Sequence, residues 1–184
     1  MHPMANRLQR GFTVVELMVT VTIVAILAAV AVPSFMGMIN TNRLAAQSNE
    51  LLSAIQYART EAVRLNGRVT VCGTDNEDAD GDDDCSVGQN PYWVVIGPTP
   101  GGGQEQLRIL SVPEAVQVHT NLKQISFGAD GLAREPGTRN LVSGEITVCI
   151  ETTNPPQNKR LLNISSGSRV TVSKPDGDGE GSCE

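Results

Sequence analysis

The sequence predicts an α+β protein in which one long N-terminal helix, half apolar and half amphipathic, packs on a largely antiparallel sheet or sandwich. Three observations carry that expectation. An uncharged apolar run fills Leu17 to Pro33 and continues through Phe35, Met36, Met38 and Ile39. A narrow stripe of Leu44, Ser48, Leu51, Ile55, Ala58, Ala62 and Leu65 then recurs at steps of four and three, the spacing of one helix face. After Gly67 the pattern changes to alternation, in segments bounded by Gly, Pro and Asn.

The apolar run opens with Arg10-Gly11-Phe12-Thr13-Val14-Val15-Glu16. At about 1.5 Å per residue the run and its apolar continuation span a hydrocarbon core of about 30 Å. Arg7 and Arg10 precede it and no comparable basic cluster follows immediately. The positive-inside rule therefore places the leader in the cytoplasm and the bulk of the chain outside. Glu16 is the exception within this segment. A carboxylate in lipid costs about 2.5 to 3.5 kcal/mol on insertion scales, so it calls for a positive partner at the same depth. Cutting after Gly11 creates one, the new α-amine of Phe12. An ordinary signal anchor has no use for the acid, and a secretory signal is cut after its apolar core rather than before it.

The stripe predicts an amphipathic helix over 40–66, with Gly67 as its C′ stop. Apolar and amphipathic halves read as one helix, softened near Pro33 and Gly37. The stripe fits the protein's own sheet; a coiled coil with a neighbour is the alternative. Strands are expected at Arg68–Cys72, Tyr92–Ile96, Leu107–Val112, Val116–His119, Glu145–Ile150, Arg160–Ile164 and Arg169–Ser173. Turn-rich stretches separate them at Pro98–Gly103, Gly128–Gly131, Glu135–Thr138 and Asn154–Asn158. All strands follow the helix, which is the order of an α+β head. The expected organisation is a leader at 1–11, an apolar helix at 12–39, an amphipathic helix at 40–66 and a β-rich head at 67–184.

Three Phe, two Tyr and one Trp are all the aromatics available, and Phe12 and Phe35 lie in the apolar segment. The head must pack with Val, Ile and Leu, which favours strands. A net charge of −6 argues against broad, nonspecific nucleic-acid binding, and loss of Arg7 and Arg10 with the leader makes it more negative. Outside the cytoplasm, four cysteines read as two disulfides. Of the three possible connectivities, Cys72–Cys85 with Cys149–Cys183 is favoured, because each closes a local loop over a segment poor in apolar residues. Each contributes about 3 to 4 kcal/mol on the chain-entropy model. A zinc site is the competing reading, and irregular spacing without nearby His counts against it.

Gly11 and Phe12 at the junction, Glu16 as fifth residue of the mature chain, and Pro33 closely resemble the N-terminus of type IV pilins and type II secretion pseudopilins. The resemblance implies removal of the leader by prepilin peptidase and N-methylation of Phe12. It further implies single-pass anchoring in a bacterial inner membrane with the head in the periplasm, and assembly into a pilus or its priming complex. The head resembles the minor-pilin branch containing FimT, FimU and GspH. That likeness rests on Gln56-Tyr57-Ala58-Arg59-Thr60-Glu61-Ala62, Gly67-Arg68-Val69-Thr70-Val71-Cys72, Trp93, Ile125-Ser126-Phe127 and Gly131. The implied partners are other major and minor pilins, the peptidase and the inner-membrane assembly platform, with no cofactor and no small-molecule substrate.

Catalysis has little to stand on. His2 lies in the leader and His119 in an alternating strand, and paired cysteines leave no nucleophile–base set. Gly101-Gly102-Gly103 reads as a loop in a Pro-rich turn. Asp78, Asp80 and Asp82, with Gly81 for a tight turn, form a weak calcium candidate, without the EF-hand's position-twelve Glu. A solvated acidic loop is the simpler reading, and Asp176–Glu180 reads as a tail pinned by Cys183. DNA capture is the sharp alternative. FimT-like pilins use a Gly-Arg-x-Arg element, against which Gly167-Ser168-Arg169-Val170-Thr171 departs by an intruding Ser and a Thr for the second Arg. Only Arg169 and Lys174, with Lys159 and Arg160, are available as phosphate contacts. Membership of a secretion system is the third reading.

Overall fold

The computed structural model describes residues 11–136, 138–166, 169–175 and 181–183. Of the sequence-predicted features, most of the leader with Arg7, Arg10 and His2, the Gly167-Ser168 pair and the acidic stretch 176–180 lie outside the described residues. One helix, α1, runs unbroken from Val14 to Arg64, 51 residues and about 75 Å at 1.5 Å per residue. Up to Met36 no side chain of it is buried, although the Pro33 carbonyl accepts a hydrogen bond from Asn154 of the head. The apolar side chains from Val14 to Met36 are exposed, among them Leu17 at 59%, Ile26 at 62% and Phe35 at 61%.

Packing begins at Gly37, a turn before the expected boundary at Asn40, because that position carries no side chain and lets a loop of the head approach. From there the buried face runs through Asn40, Leu44, Gln47, Ser48, Leu51, Ala54, Ile55, Ala58 and Ala62, and Leu65 is half-buried. The C-terminus corrects the expectation at Gly67. Asn66 takes the left-handed position, φ 47°, and its N–H donates to the Val63 carbonyl at 3.3 Å. The Gly67 N–H donates to the Ala62 carbonyl at 3.1 Å. This is a Schellman closure with Asn66 at C′ and Gly67 one residue beyond.

The head contains two five-stranded antiparallel sheets. The strands in chain order are β1 (Val69–Thr74), β2 (Gly88–Gln89), β3 (Tyr92–Pro98), β4 (Gln104–Ser111), β5 (Gln117–Thr120), β6 (Ile125–Phe127), β7 (Ala133–Arg134), β8 (Gly144–Cys149), β9 (Lys159–Ser165) and β10 (Arg169–Ser173). One sheet has the order β4-β3-β1-β6-β7, the other β10-β9-β8-β5-β2. Every expected strand is present within a few residues. The short β2, β6 and β7 were not expected, since two or three residues are too few for alternation to register.

A single core joins α1 to both sheets. Leu44, Leu51, Ile55, Ala58 and Ala62 meet Val69, Val71, Trp93, Val95 and Phe127 of the first sheet, and Ile146, Val148, Leu162 and Ile164 of the second. The outer face of the first sheet is covered as well. There Cys72, Val94 and Ile96 pack with Ala79 and Cys85, so β1 is buried on both sides. Leu51 sits fully buried in the main cluster. Leu51→Ala is expected to destabilise the head by about 2 to 5 kcal/mol, the usual range for a core leucine, read as a lowered urea midpoint with unchanged slope.

Candidate functional site

Two regions hold the residues singled out from the sequence: the free N-terminal end of α1 and the surface of the head. At the first, Thr13 is the N-cap, with extended backbone (φ −81°, ψ 153°) and its Oγ1 accepting from the Glu16 N–H at 3.2 Å. The Leu17 N–H donates to the Thr13 carbonyl at 3.1 Å and starts the helix. Thr13-Val14-Val15-Glu16 thus has the spacing of a capping box, a T-x-x-E signal the sequence reading passed over. Glu16 falls at N3, where the helix dipole favours an anion. Phe12 is 82% exposed just ahead of the cap. This end of the protein is an acid held in a defined helical position, surrounded by apolar side chains with no neighbour in the chain.

The head's acidic loop is more ordered than a solvated charge run. Ala79, fully buried under the first sheet, pins it, and the Cys72–Cys85 bond closes it. Gln106 Nε2 donates to the carbonyls of Glu77 (2.8 Å) and Ala79 (3.1 Å). The calcium candidate does not assemble. The Asp82 carboxylate pairs with Arg68 at 2.7 Å and accepts from Gln104 Nε2 at 3.0 Å, while Asp78 and Asp80 are exposed. Among the described residues no three acidic, His or Cys side chains converge as a metal site.

The basic candidates lie in different environments. Arg160 is buried at 4% exposure and donates Nη1 to the carbonyls of Gln157 (3.1 Å) and Lys159 (2.7 Å). Burial pushes its pKa down. It faces the interior because adjacent strand residues point to opposite sides, which removes it from the list of phosphate contacts. Lys159 is half-buried. Arg169 and Lys174 are exposed at opposite ends of the β10 segment. His119 is half-buried on β5, its Nε2 hydrogen-bonded to Gln117 Oε1 at 3.1 Å. The four cysteines form Cys72–Cys85 and Cys149–Cys183, with no free thiol among the described residues.

The residues of the 56–62 segment meet the first sheet. Tyr57 lies under the Arg108 guanidinium, 6.0 Å from ring centre, and Ala58 and Ala62 are buried against the core. Arg59 crosses Gly131, whose φ of 71° and lack of a Cβ admit it. Gly131 belongs to the β6–β7 turn, where Asp130 holds Arg134 in a two-point pair at 2.9 and 2.6 Å.

Two solved structures share this architecture. The type IV minor pilin FimU of Pseudomonas aeruginosa aligns with a TM-score of 0.50 at 20% identity, over 72% of this chain and 90% of that one. The minor pseudopilin EpsH from the type 2 secretion system of Vibrio cholerae aligns with a TM-score of 0.51 at 8% identity, over 72% and 98%. A family model for the prokaryotic N-terminal methylation motif matches residues 6–32. Fold and N-terminal motif together define the class: a pilin-fold protein with a prepilin-type N-terminus. The model of type II transport protein GspH matches residues 47–177, and the chain belongs to that family. No curated protein matches it significantly.

Arg134, then the Leu132 backbone N–H, hold the Asp130 carboxyl down at about 2, from an ordinary 3.8. Because the folded value is lowered, the pair's contribution is complete above the ordinary carboxylate range and is lost as pH falls toward 2. An NMR titration of Asp130 is expected to show a midpoint near 2, returning toward 3.8 in Arg134→Ala.

Proposed function

We propose that this chain is a minor pilin, processed after Gly11, anchored by α1 in the inner membrane with its head in the periplasm, and built into a type IV pilus near its tip. One observation carries the reading. Residues 14–36 form a helix apolar on every side, its side chains exposed and one carboxylate at its head. Such a surface needs lipid or the like helices of other pilins. Glu16, fixed at N3 by the Thr13 cap, is four residues from Phe12. In the processed chain a Phe12 amine of a docking neighbour neutralises it, so the charge that is costly alone becomes a register mark for assembly. Prepilin peptidase and the assembly platform are the further partners this route requires, and packing rather than catalysis is its mechanism.

A second reading has a specific observation behind it. The family is described as a type II transport protein, which favours a pseudopilin of a secretion system with the same physics and a different machine. DNA capture loses ground, because Arg160 is internal and the exposed Arg169 and Lys174 stand at opposite ends of the β10 segment.

Glu16→Ala is expected to insert in the membrane at normal levels yet be depleted at least tenfold from sheared pili, in the order-of-magnitude sense of losing one charge pair in lipid. Loss of secretion with piliation intact in a deletion strain assigns the protein to the second machine. Normal incorporation of the Glu16→Ala protein into either assembly overturns the role given to the acid.

A further inference from the structure

Beyond the core and the Tyr57–Arg108 and Arg59–Gly131 contacts, the head grips α1 where the apolar half of the helix ends. The loop between β8 and β9 supplies the grip. Asn154 Nδ2 donates to the Pro33 carbonyl at 2.6 Å, and Asn40 Nδ2 donates to the Asn154 carbonyl at 2.9 Å. Gly37 lies between these two on the same helix face, and a Cβ there would collide with the Asn154 side chain. Thr152 shapes the loop, its Oγ1 accepting from the Asn154 N–H at 3.1 Å.

The same loop is backed by the C-terminal segment. Asn158, buried, donates Nδ2 to the carbonyls of Ile150 (2.9 Å) and Ser182 (3.2 Å). Gly181, at φ 69°, lies so close to Thr152 and Thr153 that a side chain would meet the Thr152 backbone. Residues 181–183 belong to no helix or strand, and the Cys149–Cys183 bond is their covalent tie to β8. Disulfide, C-terminal segment, loop and helix therefore form one chain of contacts ending at Pro33.

The two disulfides differ in access. Cys72 and Cys85 are 1% and 5% exposed beneath the acidic loop. Cys183 is only partly buried and lines an open groove of about 480 Å³ with Gln117, His119, Thr147 and Glu151. We propose that Cys149–Cys183 is a redox latch. A dithiol reductant entering the groove opens it, releases residues 181–183, and uncouples the Asn154 loop from the helix at Pro33–Asn40 while the core stays folded. A reductant thiolate attacks the Cys183 sulfur, and Cys149 leaves as a thiolate and takes a proton. The second reductant thiol then displaces Cys183, giving two protein thiols and one oxidised dithiol. The latch sets how stiffly the head rides on its stalk. Its importance in assembly rests on the anchoring role proposed for α1; the latch itself does not.

The test uses the full chain in detergent, treated with dithiothreitol under native conditions, alkylated, mapped by mass spectrometry and followed by hydrogen exchange. Cys149 and Cys183 are expected to be alkylated while Cys72–Cys85 remains bonded. Amides of residues 34–43 should then exchange about tenfold faster, with those of residues 51–62 unchanged, the pattern of local release rather than global opening. A Cys149→Ser, Cys183→Ser double variant should reproduce this without reductant, and Asn154→Ala should do so with the disulfide intact. Resistance of both bonds, or opening of Cys72–Cys85 first, overturns the proposal. So does an opened Cys149–Cys183 bond with residues 34–43 unaffected. Faster exchange at residues 51–62 as well would make the bond a staple of the core and sink the latch.

Discussion

The structure depends on a helix that satisfies its own backbone. Every peptide group between the termini of α1 is committed to the intrahelical ladder apart from the break that Pro33 imposes, so one element passes between surroundings of very different polarity without leaving orphaned donors. What changes along it is only the side-chain pattern. From Val14 to Met36 apolar residues face all directions, and from Gly37 a single stripe is buried with mostly polar residues on the remaining faces. The first pattern has no solution inside the chain and the second has a complete one. The need for outside partners is therefore written into the first half, and the need for a sheet into the second.

The sheet that answers this need has few large side chains to offer. Trp93 and Phe127 are the buried aromatics in the main core, and the remainder is Val, Ile, Leu and Ala. Aliphatic residues fill such a core when they alternate on strands, and two sheets share α1 as common ground. Segments without enough apolar residues are fastened by other means. The loop carrying Asp75–Asp84 would float on composition alone, yet one buried alanine, a disulfide and the Arg68–Asp82 pair hold it over the first sheet. Covering that face is what lets β1 read as a continuous buried strand rather than an alternating one.

Much of this was legible in the sequence because it is periodic. The stripe from Leu44 to Leu65 and the longer strands repeat often enough for face and period to be read, and the register of a strand fixes which residues turn inward. Where meaning depends on one contact between distant residues, the sequence was silent. Arg160 counts as a basic residue in composition, and only strand alternation combined with the actual sheet shows that it points inward. Asn66 rather than Gly67 takes the left-handed position, since both residue types tolerate it and helix length decides between them. The acids at 78, 80 and 82 matched an alternating ligand pattern, but Arg68, just ahead of β1, and Gln104, at the start of β4, claimed Asp82. Asn154 could not be read at all, because its partners lie 121 and 114 positions away in the chain.

Those partners bear on how the two halves of α1 communicate. Pro33 has no N–H to donate, so the helix is weakest near it, and a bend there would swing the whole apolar segment relative to the head. The contacts at Pro33, Gly37 and Asn40 lie on one face just on the head side of that weak point. Fixing this face confines bending to the turn before Pro33, among residues whose side chains are exposed. Gly37 matters through what it omits. Any side chain there would push Asn154 away and leave the first turn after the proline without support from the head. An isolated glycine in an exposed helix costs stability, and its presence here is accounted for by the close approach it permits.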